Sequence, residues 1–160
     1  MPEAGPSRFP GIVESAICAQ LISGGLVEST QTPQAAFIHG PELERFSYPA
    51  FSPFKTRRAG LTRKQLYGMG LLSGANVRET APTMASRSDL EQFHTSRYLD
   101  ALARAENGDL YPDAFAMGIG SGDCPVFRGM NDYAAWAAGA SIAGARLICN
   151  GDAAVAFNPS

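Results

Sequence analysis

The sequence predicts an α/β domain built on a parallel sheet with helices packed against it. Three stretches carry that expectation. Ala35-Ala36-Phe37-Ile38 is a short apolar run closed by Gly40-Pro41. Residues 131–148 set Tyr133, Trp136, Ala137, Ala140, Ala143 and Leu147 on one helical stripe. Ala153-Ala154-Val155-Ala156-Phe157 is a second apolar run, entered through Gly151. Short apolar runs between turn residues read as buried strands. Parallel strands need a crossover connection, and a long helix followed by a strand supplies one. The small residues on the helical stripe let it lie close to a sheet. Two strands alone would make that sheet thin.

The remaining elements follow from local chemistry. Phe46 to Pro53 carries three aromatics and two prolines, Pro49 and Pro53. Proline at that density denies regular structure, so an ordered aromatic loop is expected. Thr62 can cap a helix running to about Leu72, with Leu66, Met69 and Leu72 on one side. Gly68 and Gly70 weaken that helix and Gly74 ends it. Ser88-Asp89-Leu90-Glu91 reads as a capping box for a short helix ending near His94. Thr95 begins another, with Tyr98, Leu99 and Leu102 at helical spacing, and Asn107-Gly108 stops it. Residues 106–127, with Gly108, Pro112, Gly118, Gly120, Gly122 and Pro125, read as loop. Residues 1–33 are rich in Pro, Gly, Ser and Thr, with a weakly helical patch at Val13 to Leu21. They read as a leader, either flexible chain or translation from a start codon set too far upstream. The domain itself is expected over residues 34–160.

Composition narrows the function classes. A chain of 160 residues fits one domain. Hydrophobic residues at 45% supply a core, and charged residues at 18% argue against disorder. A net charge of −2, with no block of like charge, predicts no direct nucleic-acid partner and no anionic membrane surface. No apolar run is long enough to span a bilayer. Cys18, Cys124 and Cys149 are odd in number and far apart, which reads as buried free thiols in a reducing compartment. Ile12 to Val27 contains Glu14 and Gln20 and has no basic cluster before it, which argues against a secretory signal. A cytoplasmic location is expected.

No complete catalytic constellation is legible from the residues alone. A metal site needs three or four placed ligands. The two histidines, His39 and His94, fall in no HxxxH, HxH or HExxH pattern. Cys124 lies between Asp123 and Pro125, with no helix start directly after it to lower its pKa, so a structural loop outweighs a nucleophile. Gly118-Ile119-Gly120-Ser121-Gly122 lacks the spacing of phosphate-binding loops. Lys55, Arg57, Arg58, Arg63 and Lys64 form a small basic cluster of the kind usually solvated.

A longer string is more specific. Gly122-Asp123-Cys124-Pro125-Val126-Phe127-Arg128-Gly129 resembles the G-x-DCPVF-x-G segment of histone deacetylases and their bacterial acetoin-utilisation relatives. Other segments agree in order. Residues 37–43 resemble that family's first strand, and residues 52–58 its HPxKPxR motif. Residues 81–99, ending Phe93-His94-Thr95-Ser96-Arg97-Tyr98-Leu99, resemble its P…A…YH…YI segment. Residues 138–145 resemble its GGS-x-A-x-A helix, and residues 154–159 the strand that enters its active site. The resemblance covers residues 35–160. Three positions depart from it: Ser52 replaces a histidine, Thr56 a proline, and Gly60 an arginine.

The resemblance implies an arginase-like α/β fold with a central parallel sheet, here incomplete. It implies zinc-assisted hydrolysis of acetyl-lysine or a related acetylated amine, the metal activating water. A histidine pair would move protons and a tyrosine would hold the oxyanion. In the family a Gly-Gly-x-His-His segment follows the last strand matched here, and the zinc ligands lie further on. The chain is therefore expected to hold no metal ligand and no catalytic residue, and to be inactive by itself. Arg58, Pro53 and Phe54 are expected to line the channel and pocket beneath the metal. Glu106, with Asp109 as the alternative, is expected at the substrate rim. Asp123, Cys124 and Pro125 are expected to shape the adjoining loop. A sheet ending at residue 157 would leave an edge able to recruit a partner chain.

Overall fold

The computed structural model describes residues 34–160. The expected helical patch at Val13 to Leu21, and Cys18, lie outside the described residues. Strand β1 spans Ala35–Ile38, β2 spans Val77–Thr80, and β3 spans Val155–Phe157. All pair in parallel in the order β2-β1-β3, so β1 is central. The helices are α1, Arg58–Gly68; α2, Arg87–Leu90; α3, Ser96–Glu106; α4, Pro112–Ala116; and α5, Met130–Cys149. A single 3₁₀ turn, Pro41–Glu44, follows β1.

Strand β2 was not anticipated. Its sequence, Val-Arg-Glu-Thr, buries none of its four residues, so it carries no apolar run to read. Its partner makes it a strand, through the register Ala35↔Val77 to Ile38↔Thr80. The two outer strands differ in character. On β2, Arg78 and Glu79 are exposed and charged. On β3, Val155 is 56% exposed and Phe157 52%. Charge on an edge strand discourages further pairing, whereas bare apolar side chains invite it.

Period-two alternation sorts β1 between two faces. Ala36 and Ile38 face α5 and join Leu43, Tyr133, Ala140, Leu147 and Ala153 in the main core. Phe37 points the other way, its ring 5.8 Å from that of Phe157. Glu79, in register with Phe37, is held by Arg63 of α1 at 2.6 Å. A second cluster joins α3, α4 and the loop after them, around Ala101, Ala105, Ala114, Ile119 and Met130. The short helix α4 inside the expected loop starts with Pro112 at its first position, where a missing N–H costs nothing.

Two helix starts differ from the sequence expectation. Helix α1 begins a turn before Thr62, at Arg58, with no side-chain cap, and stops at Gly68 rather than Leu72. The capping box sits one register earlier than Ser88. Ser86 is the cap, Asp89 closes the box, and Ser86 Oγ accepts from Asp89 N at 3.1 Å. Both Ser86 and Ser88 have an acid three residues on. The one nearer the chain's exit from Pro82 and Ala85, which are buried, wins. Thr95 caps α3 as expected, accepting from Tyr98 N at 3.3 Å.

Helix α5 is held tightly along its length. The segment 83–85 crosses it at Gly139, and Ala85 N donates to Ala135 O at 3.0 Å. A Cβ on Gly139 would run into the carbonyl of Thr83 and the amide of Ala85. Backbone cannot swing aside as a side chain can. Gly139→Ala is therefore expected to cost about 1–3 kcal/mol, as overpacking does. The check is urea unfolding followed by the helical circular-dichroism signal. A midpoint equal to the parent's would refute this reading.

Candidate functional site

In a parallel sheet crossed by helices, ligands bind beyond the carboxyl ends of the strands. That edge carries His39 after β1, Pro82 after β2 and Asn158 after β3. Because α5 runs back before β3, its first turn and the loop entering it lie on the same edge. Asn158 fixes this edge to α5. Its amide donates to Ser141 Oγ at 3.0 Å and to Ala137 O at 3.3 Å, and its own Oδ1 accepts from Ser160 N at 3.1 Å.

The loop leaving β1 meets the loop entering α5 around Tyr48. The Tyr48 ring lies 4.5 Å from Phe127, 4.9 Å from Phe54 and 5.7 Å from Tyr133. Phe46 and Phe54 also pack on Tyr133, at 5.8 and 6.0 Å. The Arg58 guanidinium lies over the Phe54 ring, 5.3 Å from its centroid, within cation–π range. Phe54, expected to line the pocket, and Arg58, expected to line the channel, are thus in contact. Tyr48, Phe127 and Tyr133 are not among the site residues expected from sequence. The aromatic density of residues 46–54 was the signal that could have found Tyr48.

The three departures from the family pattern serve this loop. Ser52 and Thr56 are its buried polar residues. Ser52 Oγ accepts from Phe54 N at 3.3 Å, and Thr56 Oγ1 donates to Phe46 O. Gly60 leaves room for the Glu44 carboxylate, which a Cβ there would strike. Gly129 plays a similar part for α5. It sits at φ 84° before the first turn, and a Cβ would meet the Phe46 ring.

The other expected site residues are more scattered. Pro53 and Asp123 are exposed, while Pro125 is buried. Cys124 is half-buried. Burial pushes the Cys124 thiol above its ordinary value, and the nearby Tyr98 hydroxyl only partly offsets this. A thiol kept protonated is a poor nucleophile. Asp109 is exposed and accepts from Arg104 Nε at 2.7 Å. Glu106, at the end of α3, accepts from the Gly129 N–H and from the Asn131 side-chain amide. Its carboxylate thereby ties α3 to the start of α5, where the positive end of the helix dipole favours an anion.

Burial pushes the Tyr133 phenol up to about 12, with Tyr48 adding to the shift and Arg58 opposing it. A raised folded-state pKa stabilises the neutral form. That contribution is complete below the unfolded value near 10 and is lost as pH climbs toward about 12. In a phenolate absorbance titration, one tyrosine is expected to ionise only as pH approaches about 12, with unfolding setting in over the same window. Ionisation of every tyrosine together near pH 10 would contradict it.

The histidines are engaged elsewhere. His39 Nε2 lies 3.0 Å from Glu44 Oε1, and the His94 ring stacks on Tyr98 at 5.2 Å. Among the described residues, no group of three His, Cys, Asp or Glu side chains is placed to hold a metal ion. These donors do not fit a zinc site, and no reaction step runs through zinc on them. No helix of the described residues is long and apolar enough to cross a membrane.

The chain is 27% identical over 135 residues to Histone deacetylase RPD3 of Saccharomyces cerevisiae, covering 82% of this chain and 30% of that protein. It is 35% identical over 104 residues to Histone deacetylase 8 of Xenopus tropicalis, covering 64% of this chain and 27% of that one. Against Acetoin utilization protein AcuC of Bacillus subtilis it is 28% identical over 125 residues, covering 78% of this chain and 32% of that one. The chain thus spans about three tenths of the length of these curated relatives. A family model described as the histone deacetylase domain matches residues 52–160, which hold the aromatic loop, Arg58, the Gly122–Gly129 string and α5. The chain belongs to the histone deacetylase domain family.

Proposed function

We propose that these residues form the front part of a zinc-dependent deacetylase that hydrolyses acetyl-lysine or a related acetylated amine. The carrying observation is the meeting of Phe54 and Arg58 with the loop of Cys124 at the carboxyl edge of a parallel sheet. In this reading the sheet is the first portion of an arginase-like sheet. Arg58, Phe54 and Pro53 line the channel beneath the metal, and Asp123, Cys124 and Pro125 shape the loop beside it. Glu106, which bonds Gly129 and Asn131 and keeps acceptor capacity, is the rim carboxylate that meets substrate N–H groups, with Asp109, paired to Arg104, as the alternative. The 160-residue polypeptide by itself neither retains zinc nor cleaves an amide. Free thiols at Cys124 and Cys149 accord with a reducing, cytoplasmic setting.

The test has two parts. Coding sequence beyond codon 160 is read in all three forward frames, and Gly-Gly-x-His-His with Asp-x-His is the expected find. The 160-residue chain is then assayed on an acetyl-lysine peptide with zinc added. Hydrolysis above buffer, with stoichiometric bound zinc, would overturn the inactivity.

A second reading rests on the exposed side chains of β3, Val155 and Phe157. Here the chain is a non-catalytic module that pairs through β3 with a complementary or full-length deacetylase chain. Co-purification with such a chain supports it, and a monodisperse monomer that ignores one sinks it.

A further inference from the structure

Away from the Tyr48 cluster, α2, α3 and the outer side of α5 enclose a half-open cavity of about 500 Å³. That volume suits one small molecule. Its walls are apolar, from Leu90, Leu99, Leu102 and Ala138. The stacked pair His94 and Tyr98 adds a flat aromatic surface. Two carboxylates, Glu106 and Asp132, also line it. One cation, Arg87, is present, but it is already committed to Glu91 and Asp100, each at 2.8 Å. The charge left for a ligand is therefore negative.

We propose that this cavity binds a small lipophilic ammonium, an apolar body ending in one cationic amine. The body replaces water against the leucines and the Tyr98 ring, which is favourable in proportion to the area covered. The ammonium finds Glu106 and Asp132, and a carboxylate that already accepts two bonds still has lone pairs free. An anionic ligand would meet two like charges and a guanidinium with no spare commitment. The site is independent of the deacetylase reading. Its walls nonetheless include one anchor of the Gly122–Gly129 loop, Glu106, which accepts from the Gly129 N–H.

The test titrates the 160-residue chain with 4-phenylbutylamine and, separately, with the neutral isostere 4-phenylbutan-1-ol, followed by amide chemical shifts. Saturable binding is expected, with shifts at Tyr98, Leu102 and Asn131. The amine should bind about fivefold more tightly at low salt, an advantage that shrinks as salt is added. Asp132→Asn, at an exposed position, should reduce that advantage, and Ala138→Trp should fill the cavity and abolish binding of both. Equal affinity for amine and alcohol, shifts confined to Val155 and Phe157, or no saturable binding would each overturn the proposal. Should Ala138→Trp fail to fold, the Asp132→Asn comparison still decides it.

Discussion

The chain carrying Val155→Lys and Phe157→Lys is expected to remain monodisperse at concentrations where the parent chain self-associates and binds hydrophobic dye. These two side chains stand more than half exposed on an outer strand, while the opposite outer strand offers Arg78 and Glu79. Covering a Val or Phe side chain fully is worth about 1.5–3 kcal/mol. Removing two from one contact should therefore weaken association by about a hundredfold or more. Sedimentation velocity on parent and variant measures this directly. If both behave alike, β3 is not the adhesive surface, and Phe51 and Phe93, 73% and 89% exposed, become the next candidates.

Glu106→Ala is expected to loosen the junction between α3 and α5 with little change in the sheet. The parent carboxylate receives a backbone N–H and a side-chain amide at the start of a 20-residue helix. Removing it strands both donors, at a cost of about 1–3 kcal/mol for groups left unsatisfied away from water. Amide exchange at Gly129 should accelerate by about one to two orders of magnitude, while exchange in β1 stays slow. Glu106→Gln should fall between, since its amide offers one acceptor and opposes a second donor with its own N–H₂. Uniform acceleration through the chain would mean that Glu106 supports the whole domain rather than this junction.

What the sequence disclosed follows physical lines. β1, α3, α5 and β3 were legible because each concentrates apolar residues at its own period or ends on an unmistakable stop. β2 was not, because Val77-Arg78-Glu79-Thr80 is a strand only by virtue of lying beside Ala35–Ile38. The start of α1 was misplaced because Arg57, at its cap position, makes no side-chain cap bond. The family was legible through the unusual string at Gly122–Gly129. The convergence of Tyr48, Phe127 and Tyr133 was not, since contacts across so much chain leave no local pattern. Glu106 was noticed as a carboxylate, but its attachment to Gly129 could come only from coordinates.

The central position of β1 has a consequence for how the protein comes into being. β1 is made early, yet one of its two neighbours, β3, is the final element of the described chain. On a ribosome, that side of β1 stays bare until every other described element has emerged. Pairings between distant parts of a chain are slow to form and leave intermediates open to aggregation. The yield of soluble protein should therefore depend on synthesis rate and chaperone supply more than on the final stability of the fold.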